Sequence, residues 1–444
     1  MYRFVDRYCA PGSAIVAALV VYGAVLFVAI PALTAILGDR YGIAFADDYD
    51  RLALNLALGN GYRYGADLAP TLMREPGYPF FLAGVFTLFG YSIEAARFAN
   101  MVLVALTSAL VMGLGNTLGV DRRLAALAAL LFIAHPAIVI AAARGGFEIF
   151  LIFLMTAFVL ATLHAVRTPE LKRYALVGLL LGLVVLTRST MLYFAIIIVG
   201  YIWWMTRLQA DDATGLRYGG TVLIVAALVL SPWVIRNYVL TKTIVPTTTI
   251  QGVAAHAGQY ICKGLSLDTG LQQLDTEAAY ERQRIAARLG YPHESGYYQY
   301  FRSTAHEMDF NRVLLQQVFG EYLSHPVVWA RCAAKNLFNF WFAGKTWSVT
   351  LINTSVQGPF LIFAIVGIAE FWRRGRRARS MLLVLLMGYL YALHVPIHAQ
   401  ARYSVPLTPF LAIFASQGLA VTWGMVRRWR LNADRAKLSK IQPQ

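Results

Sequence analysis

Charge is what this chain lacks. Only 14% of its 444 residues are Asp, Glu, Lys or Arg, and none lies between Ser13 and Leu37. Soluble domains carry about 25% charged residues, so an ordinary water-facing surface cannot be built and a soluble globular protein is excluded. Acidic residues are the scarcer sign, 23 against 39 basic ones, for a formal net charge of +16. The three cysteines, Cys9, Cys262 and Cys332, are too few and too scattered for a zinc site or a disulfide framework. Cys262 and Cys332 pair only if their loop lies outside the cytoplasm, and two free thiols are the favoured reading. No GxxxxGK[ST], HExxH or CxxC occurs. A phosphate-cradling P-loop, zinc proteolysis and thiol redox chemistry are therefore not indicated.

What fills the chain instead is apolar sequence, 58% hydrophobic with a mean hydropathy of +0.55. A helix needs about 20 apolar residues to cross hydrocarbon. Runs at 13–37, 93–118, 123–142, 146–165, 174–187, 190–206, 218–236, 350–371, 380–396 and 404–426 are predicted crossings. The first is too long for a cleaved signal peptide and is followed by further spans, so it is read as a retained helix. Basic residues gather in short junctions: Arg122/Arg123, Arg167/Lys172/Arg173, Arg207/Arg217, the cluster at 373–379 and the tail. That is the positive-inside pattern rather than a nucleic-acid surface, and it puts both chain ends in the cytoplasm. Parity then forbids the short run 78–90 from crossing; its length suits a re-entrant or interfacial helix.

The expected fold class is an all-α polytopic membrane protein, a bundle of about ten transmembrane helices with interfacial helices in the first outer loop. Residues 1–236 form an N-terminal transmembrane module containing outer loop 38–92, 237–349 a large extracytoplasmic loop, 350–426 the last membrane helices, and 427–444 a basic cytoplasmic tail. Asp47 to Gly59 reads as an N-capped amphipathic helix lying on the membrane surface. In the second loop, 275–289 and 301–322 are predicted helices on either side of Gly290-Tyr291-Pro292. Gly178 and Gly182 form a GxxxG packing face.

Ionisable residues collect at the predicted outer boundary: Asp47 and Asp48, Arg74 and Glu75 before Tyr78, Arg144 and Glu148, Arg188, Arg236, and His398, Arg402 and Tyr403. A charge at membrane depth costs several kcal/mol unless paired or wetted. Charges of both signs on separate segments at one level therefore favour a shared polar cavity. A polyprenyl-phosphate sugar suits such a cavity, because it presents an anionic phosphate at the membrane surface with its tail in lipid. Guanidinium groups bind phosphate oxygens in pairs and stay charged. With its charge neutralised, phosphate leaves readily, so the remaining need is a carboxylate base for the incoming hydroxyl. Attack from the opposite face inverts the anomeric carbon, by analogy with inverting glycoside chemistry.

At these residues the chain resembles the GT-C glycosyltransferases, of the protein O-mannosyltransferase and lipid A aminoarabinose transferase type. The likeness runs through Asp47-x-Tyr49-x-x-x-Ala53-x-x-Leu56, Gly59-Asn60-Gly61-Tyr62, Pro70-Thr71, Arg74-Glu75-Pro76-Gly77-Tyr78-Pro79 and Leu88-Phe89-Gly90. It continues in Leu186-Thr187-Arg188, Pro232-Trp233-x-x-Arg236-Asn237-Tyr238 and Arg402-Tyr403-x-x-Pro406-x-x-Pro409. The resemblance implies a lipid-phosphate-sugar donor, an active site on the outer face of the cytoplasmic (inner) membrane and a catalytic aspartate in the first outer loop. Asp47 is favoured over Asp48, which serves as partner acid or helix cap. Arg74 is the leading phosphate ligand, joined by Arg188, Arg236 and Arg402, with Glu75, Tyr78, Glu148, His398 and Tyr403 in support. Glu75 departs from the proline usual there, which leaves the local loop geometry open.

The acceptor is a glycan, lipid or protein, selected in 237–349, where Tyr291, Tyr297, Tyr298 and Tyr300 either stack on sugar rings or anchor at the interface. Asp47, Asp48 and Glu75 are candidate ligands for a divalent cation, but without a placed histidine or further acid no tight metal site, and no other cofactor, is expected. The competing readings are a lipid-linked glycan transporter or flippase, and a polysaccharide polymerase or ligase.

Overall fold

The computed structural model describes residues 10–32, 45, 47–208, 212–263, 271–294 and 299–438. Its helices are α1 (Pro11–Ala24, continued by a π turn over Val25–Ala29), α2 (Tyr49–Ala57), α3 (Gly77–Phe89), α4 (Ile93–Thr117), α5 (Arg122–Ile133), α6 (Pro136–Ala143), α7 (Glu148–Arg167), α8 (Leu171–Thr187) and α9 (Phe194–Arg207). They continue as α10 (Asp212–Thr241), α11 (Gln251–Lys263), α12 (Leu271–Arg288), α13 (Thr304–Ser324), α14 (Pro326–Phe342), α15 (Trp347–Arg373), α16 (Arg377–His394) and α17 (Thr408–Leu438). A two-residue hairpin pairs β1 (His293–Glu294) with β2 (Tyr300–Phe301) in antiparallel register, His293 opposite Phe301.

Seven segments are long and apolar enough to cross a membrane: Pro11–Ala32, Ile93–Thr117, Glu148–Arg167, Ser189–Arg207, Asp212–Thr241, Trp347–Arg373 and Ala401–Arg428. The run expected at 123–142 is an eighth only as a broken pair, α5 and α6, bent by 50°. The break has a local cause. Pro136 cannot continue α5, and the His135 ring accepts from the amide of Ala137 to cap α6. The runs expected at 174–187 and 380–396 are helical too, as α8 and α16, of 17 and 18 residues. The run 78–90 is α3, 13 residues long; at 1.5 Å per residue it spans about 20 Å and is too short to cross.

Close helix packing holds the bundle. Helix α8 lies on α10 with Gly178 and Gly182 at the contact, as the GxxxG spacing predicted. A Cβ on Gly178 would stand 2.6 Å from the carbonyl oxygen of Val222, so only glycine permits that approach. Helices α15 and α17 pair along their lengths, α4 packs against α1, α5 and α7, and α17 closes onto α5.

The two loops expected outside, 38–92 and 237–349 (the first and second outer loops), depart from expectation in four ways. The apolar face of α2 lies inside the protein: Leu52 and Ala53 are fully buried and the helix packs on α3. Asp48, at the N-cap position, makes no capping hydrogen bond with its side chain. Cys262 of α11 and Cys332 of α14 form a disulfide, with Cα atoms 5.2 Å apart, in place of the expected free thiols. Two helices, α11 and α14, stand in 237–349 beside the pair that was predicted. The two loops also share one apolar core, in which Leu52, Tyr62, Tyr64 and Met73 from the first pack with Val253, Ile285, Phe301 and Phe310 from the second, and with Trp233 of α10.

Candidate active site

The site begins with a strained turn. Asp47 and Asp48 both have left-handed backbone, φ 65° and 56°, a conformation that costs about 1–2 kcal/mol per non-glycine residue. The two carboxylates take different partners as a result. Asp48 accepts a very short hydrogen bond from the hydroxyl of Tyr300. Asp47 faces Arg402, which donates to both of its carboxylate oxygens, Nη1 to Oδ1 at 3.4 Å and Nη2 to Oδ2 more closely. Arg402 sits on the 3-10 turn Ala401–Tyr403 that leads into α17. Its Nη2 also donates to Glu148 Oε1 at 3.2 Å, so one guanidinium bridges two acids. Glu148 occupies the first turn of α7, where the helix dipole favours a negative charge.

Arg74 approaches Asp47 from the other side. Its Nη2 lies 3.8 Å from Asp47 Oδ1 and donates to the Asp47 carbonyl at 3.3 Å, while the guanidinium rests 4.9 Å from the centre of the Tyr49 ring. Arg188 is at the C-terminal end of α8, its guanidinium over the rings of Phe147 and Tyr403 at 5.2 and 5.5 Å. Among the described residues its side chain makes no hydrogen bond or ion pair. Arg188, Glu148, Arg402 and Tyr403 line one cavity whose remaining wall includes Leu151, Met155, Met191, Leu390 and Pro406. Charged and apolar side chains thus line the same cavity, a combination suited to an amphiphile with an anionic head.

The supporting residues act through backbone. Glu75 Oε1 accepts from both the amide (3.0 Å) and the hydroxyl (2.6 Å) of Ser189, the residue after Arg188. This resolves the geometry left open by the missing proline: the carboxylate ties the start of α3 to the segment that carries Arg188. Gly77 allows the same approach, because a Cβ there would stand 2.6 Å from Thr187 Oγ1. Tyr78 donates to the carbonyl of Gly145 at 2.6 Å, fixing the turn before α7. His398 lies 3.2 Å from the Tyr403 hydroxyl and 3.1 Å from Gln400 Nε2. Burial, reinforced by His394, Arg402 and Arg188, pushes its imidazole down to about 3, so it is neutral at ordinary pH.

Arg236 is not gathered with the others. Its guanidinium donates to the carbonyls of Thr71 (3.0 Å) and Tyr62 (3.5 Å) and lies 4.4 Å from the Trp233 ring, bracing the first outer loop from below. Asp47, Asp48 and Glu75 do not form a joint cation site, since their carboxylates turn to Arg402, Tyr300 and Ser189 respectively. Among the described residues no group of three or more His, Cys, Asp or Glu is placed to hold a metal. Tyr300 is buried between Asp48 and the Tyr64 ring, 4.2 Å away, which removes it as a stacking platform. Tyr291 is already stacked on His306 at 4.2 Å, and Tyr297 and Tyr298 lie outside the described residues.

Two groups escaped the sequence reading. Lys345, just before α15, is lowered from its ordinary value by burial and by Arg144 and Arg402, against the pull of Asp47 and Asp275. A lone lysine next to a span looks like any interfacial anchor. Glu307 of α13 is buried and accepts from Thr71 Oγ1 (2.5 Å), Leu72 N (2.9 Å) and Thr249 Oγ1 (2.8 Å). It knots the loop before Arg74 to the second outer loop, and nothing in its local sequence marks it.

The membrane fold is shared with archaeal oligosaccharyltransferase structures. The chain superposes on the oligosaccharyltransferase AglB from Archaeoglobus fulgidus in complex with an inhibitory peptide and a dolichol-phosphate, with TM-score 0.56, 15% identity, and coverage of 98% of this chain and 52% of that one. A second structure of the A. fulgidus oligosaccharyltransferase, tethered to an acceptor peptide containing the NVT sequon, gives TM-score 0.53 and 15% identity, covering 95% and 50%. The chain spans about half the length of these proteins. ArnT from Cupriavidus metallidurans bound to undecaprenyl phosphate aligns less well, with TM-score 0.38, 13% identity and coverage of 85% and 73%. Within the chain, residues 73–235 match the family of dolichyl-phosphate-mannose-protein mannosyltransferases. No curated protein sequence matches. The resemblance read from the motifs is thus matched by a shared fold and by a family likeness over 73–235, and the protein is a multi-pass membrane protein.

Proposed function

We propose that the protein transfers a sugar from a polyprenyl-phosphate donor to an acceptor hydroxyl with inversion, using Asp47 as general base. The observation that carries this reading is Asp47 itself, held between Arg402 and Arg74 beside a cavity that Arg188 enters. The donor phosphate would meet Arg188, with Arg402 adjacent, and its isoprenoid chain would follow the apolar wall. The acceptor oxygen attacks the anomeric carbon and its proton passes to the Asp47 carboxylate. The bond from that carbon to the phosphate oxygen breaks, and polyprenyl phosphate leaves with the electron pair. No metal is needed to neutralise the leaving group where guanidinium groups already stand.

The bound dolichol-phosphate of the archaeal oligosaccharyltransferase, a protein of the same fold, supports a lipid-phosphate donor. The Cys262–Cys332 disulfide supports an outward, oxidising position for 237–349, and with it a site on the outer face of the cytoplasmic membrane. Under this reading 1–236 supplies the catalytic module and 237–349 selects a glycan, lipid or protein acceptor. The test is mass spectrometry of envelope glycans and glycolipids from a strain lacking the gene, complemented with wild type or Asp47→Asn. Loss of one sugar residue, restored by wild type alone, is expected. Full restoration by Asp47→Asn would reject Asp47 as base and favour a transport role, which needs no base.

A further inference from the structure

A second polar cavity lies at the opposite end of the bundle. Helix α7 runs 20 residues from Glu148 in the candidate active site to Arg167, about 30 Å away. There Arg167, Thr117 at the end of α4, Tyr201 and Met205 of α9, and Arg379 of α16 surround a cavity of about 130 Å³, which Leu163 and Val166 also line.

The charges around it do not balance. Arg167 donates a short hydrogen bond to the carbonyl of Thr117, and Arg379 is close enough to repel it. Neither guanidinium has a carboxylate within ion-pair distance among the described residues. Three acids at this end are taken by other bases, Glu170 by Lys172 (2.8 Å) and Arg173 (3.0 Å), Glu370 by Arg373 (2.6 Å) and Arg374 (2.5 Å), and Asp212 by Arg207 (3.4 Å), while Asp121 accepts from the amide of Arg123 to cap α5. Both arginines are exposed at the mouth of the cavity, where two like charges side by side attract an anion from the membrane surface or from solvent. Paired guanidiniums match phosphate oxygens in geometry, and a basic pocket between membrane helices is a known seat for phospholipid headgroups. The apolar residues beneath the arginines favour a lipid over free phosphate, since an inorganic ion gains nothing from Leu163, Val166 and Met205.

We infer that this cavity binds the phosphodiester headgroup of an anionic phospholipid, remote from and independent of the proposed transfer site. The test uses the full chain in nanodiscs of phosphatidylcholine with a minority of phosphatidylglycerol. Phosphatidylglycerol retained by the protein is then measured by native mass spectrometry after extraction. Wild type should retain it, and Arg379→Gln should weaken retention about fivefold. Arg377→Gln, which removes an exposed arginine stacked on Trp372 outside the cavity, should change nothing. Arg379→Lys keeps the charge and should keep most of the binding. Equal retention by Arg379→Gln and Arg377→Gln would overturn the proposal. So would loss in both Arg379 variants accompanied by a lower melting temperature in pure phosphatidylcholine, which marks a structural role. In a parallel arm, inorganic phosphate that raises thermal stability through Arg379 where phosphatidylglycerol does not would overturn the lipid assignment.

Discussion

Arg402 and Asp47 lie 355 residues apart in sequence and meet through paired hydrogen bonds, so the last membrane hairpin completes what the first outer loop begins. The contact fixes the orientation of the carboxylate, and Arg402 reaches past it to Glu148. Replacing Asp47 with Asn keeps the shape and removes the base. Transfer should fall by about 10²–10⁴-fold, the usual contribution of a general base, while melting temperature stays close to wild type. The assay is transfer by purified protein from a radiolabelled polyprenyl-phosphate sugar. Asp48→Ala should lose far less, and Tyr300→Phe should reproduce its effect, because each removes the same hydrogen bond. Equal losses at Asp47 and Asp48 would contradict the assignment of roles.

Arg188 lines the cavity, and its guanidinium has no carboxylate or carbonyl partner among the described residues. Arg188→Gln should raise the donor KM by about 10–100-fold, as expected for a charge-assisted hydrogen bond worth about 1.5–3 kcal/mol. Arg188→Lys should recover only part of this, because an ammonium cannot bind two phosphate oxygens in a planar fork. A donor titration by initial rates distinguishes the variants; an unchanged KM in Arg188→Gln would remove it from the donor site.

The Glu75–Ser189 contact predicts a positioning effect. Glu75→Ala removes the acceptor of the half-buried amide and hydroxyl of Ser189, costing about 1 kcal/mol, and frees the turn that carries Arg188. Both stability and donor KM should suffer. Ser189→Ala deletes only one of the two hydrogen bonds and should give a smaller loss. The two substitutions should be non-additive in a double-mutant cycle; simple additivity would mean that Glu75 acts elsewhere.

Glu307 ties stability to pH. Burial raises its carboxyl above the ordinary value, against the lowering effect of Thr71, Leu72 and Thr249. A carboxyl raised on folding favours the folded state at low pH, and that contribution is lost as pH rises through the folded value. Glu307→Gln removes the titration yet keeps an oxygen for Leu72 and Thr249. Wild type should therefore lose stability relative to Glu307→Gln as pH rises from about 4 toward neutrality. Thermal unfolding of both proteins across that range in detergent provides the check, and parallel curves would show that Glu307 does not titrate there.

Much of the bundle is legible in the sequence because hydrocarbon imposes a simple length rule. The long apolar runs became helices, and 78–90 proved too short to cross. The site was legible in its ingredients: Asp47, Arg74, Glu148, Arg188 and Arg402 do meet. Their pairing was not, since no local pattern encodes a contact across 355 residues. Arg236 shows the limit well. An arginine at the outer end of a span reads the same whether it faces a cavity or, as here, the carbonyls of Thr71 and Tyr62. The disulfide escaped for a similar reason, because two cysteines in a loop carry no information about distance.

The shared core of the outer loops has a consequence for engineering. Leu52, Tyr62 and Met73 pack in the same core as Ile285, Phe301 and Phe310, while Glu307 hydrogen-bonds to Thr71 and Leu72. Neither loop can be exchanged alone for that of another enzyme without opening this core. A chimera intended to carry a new acceptor preference must transplant 38–92 and 237–349 as one unit.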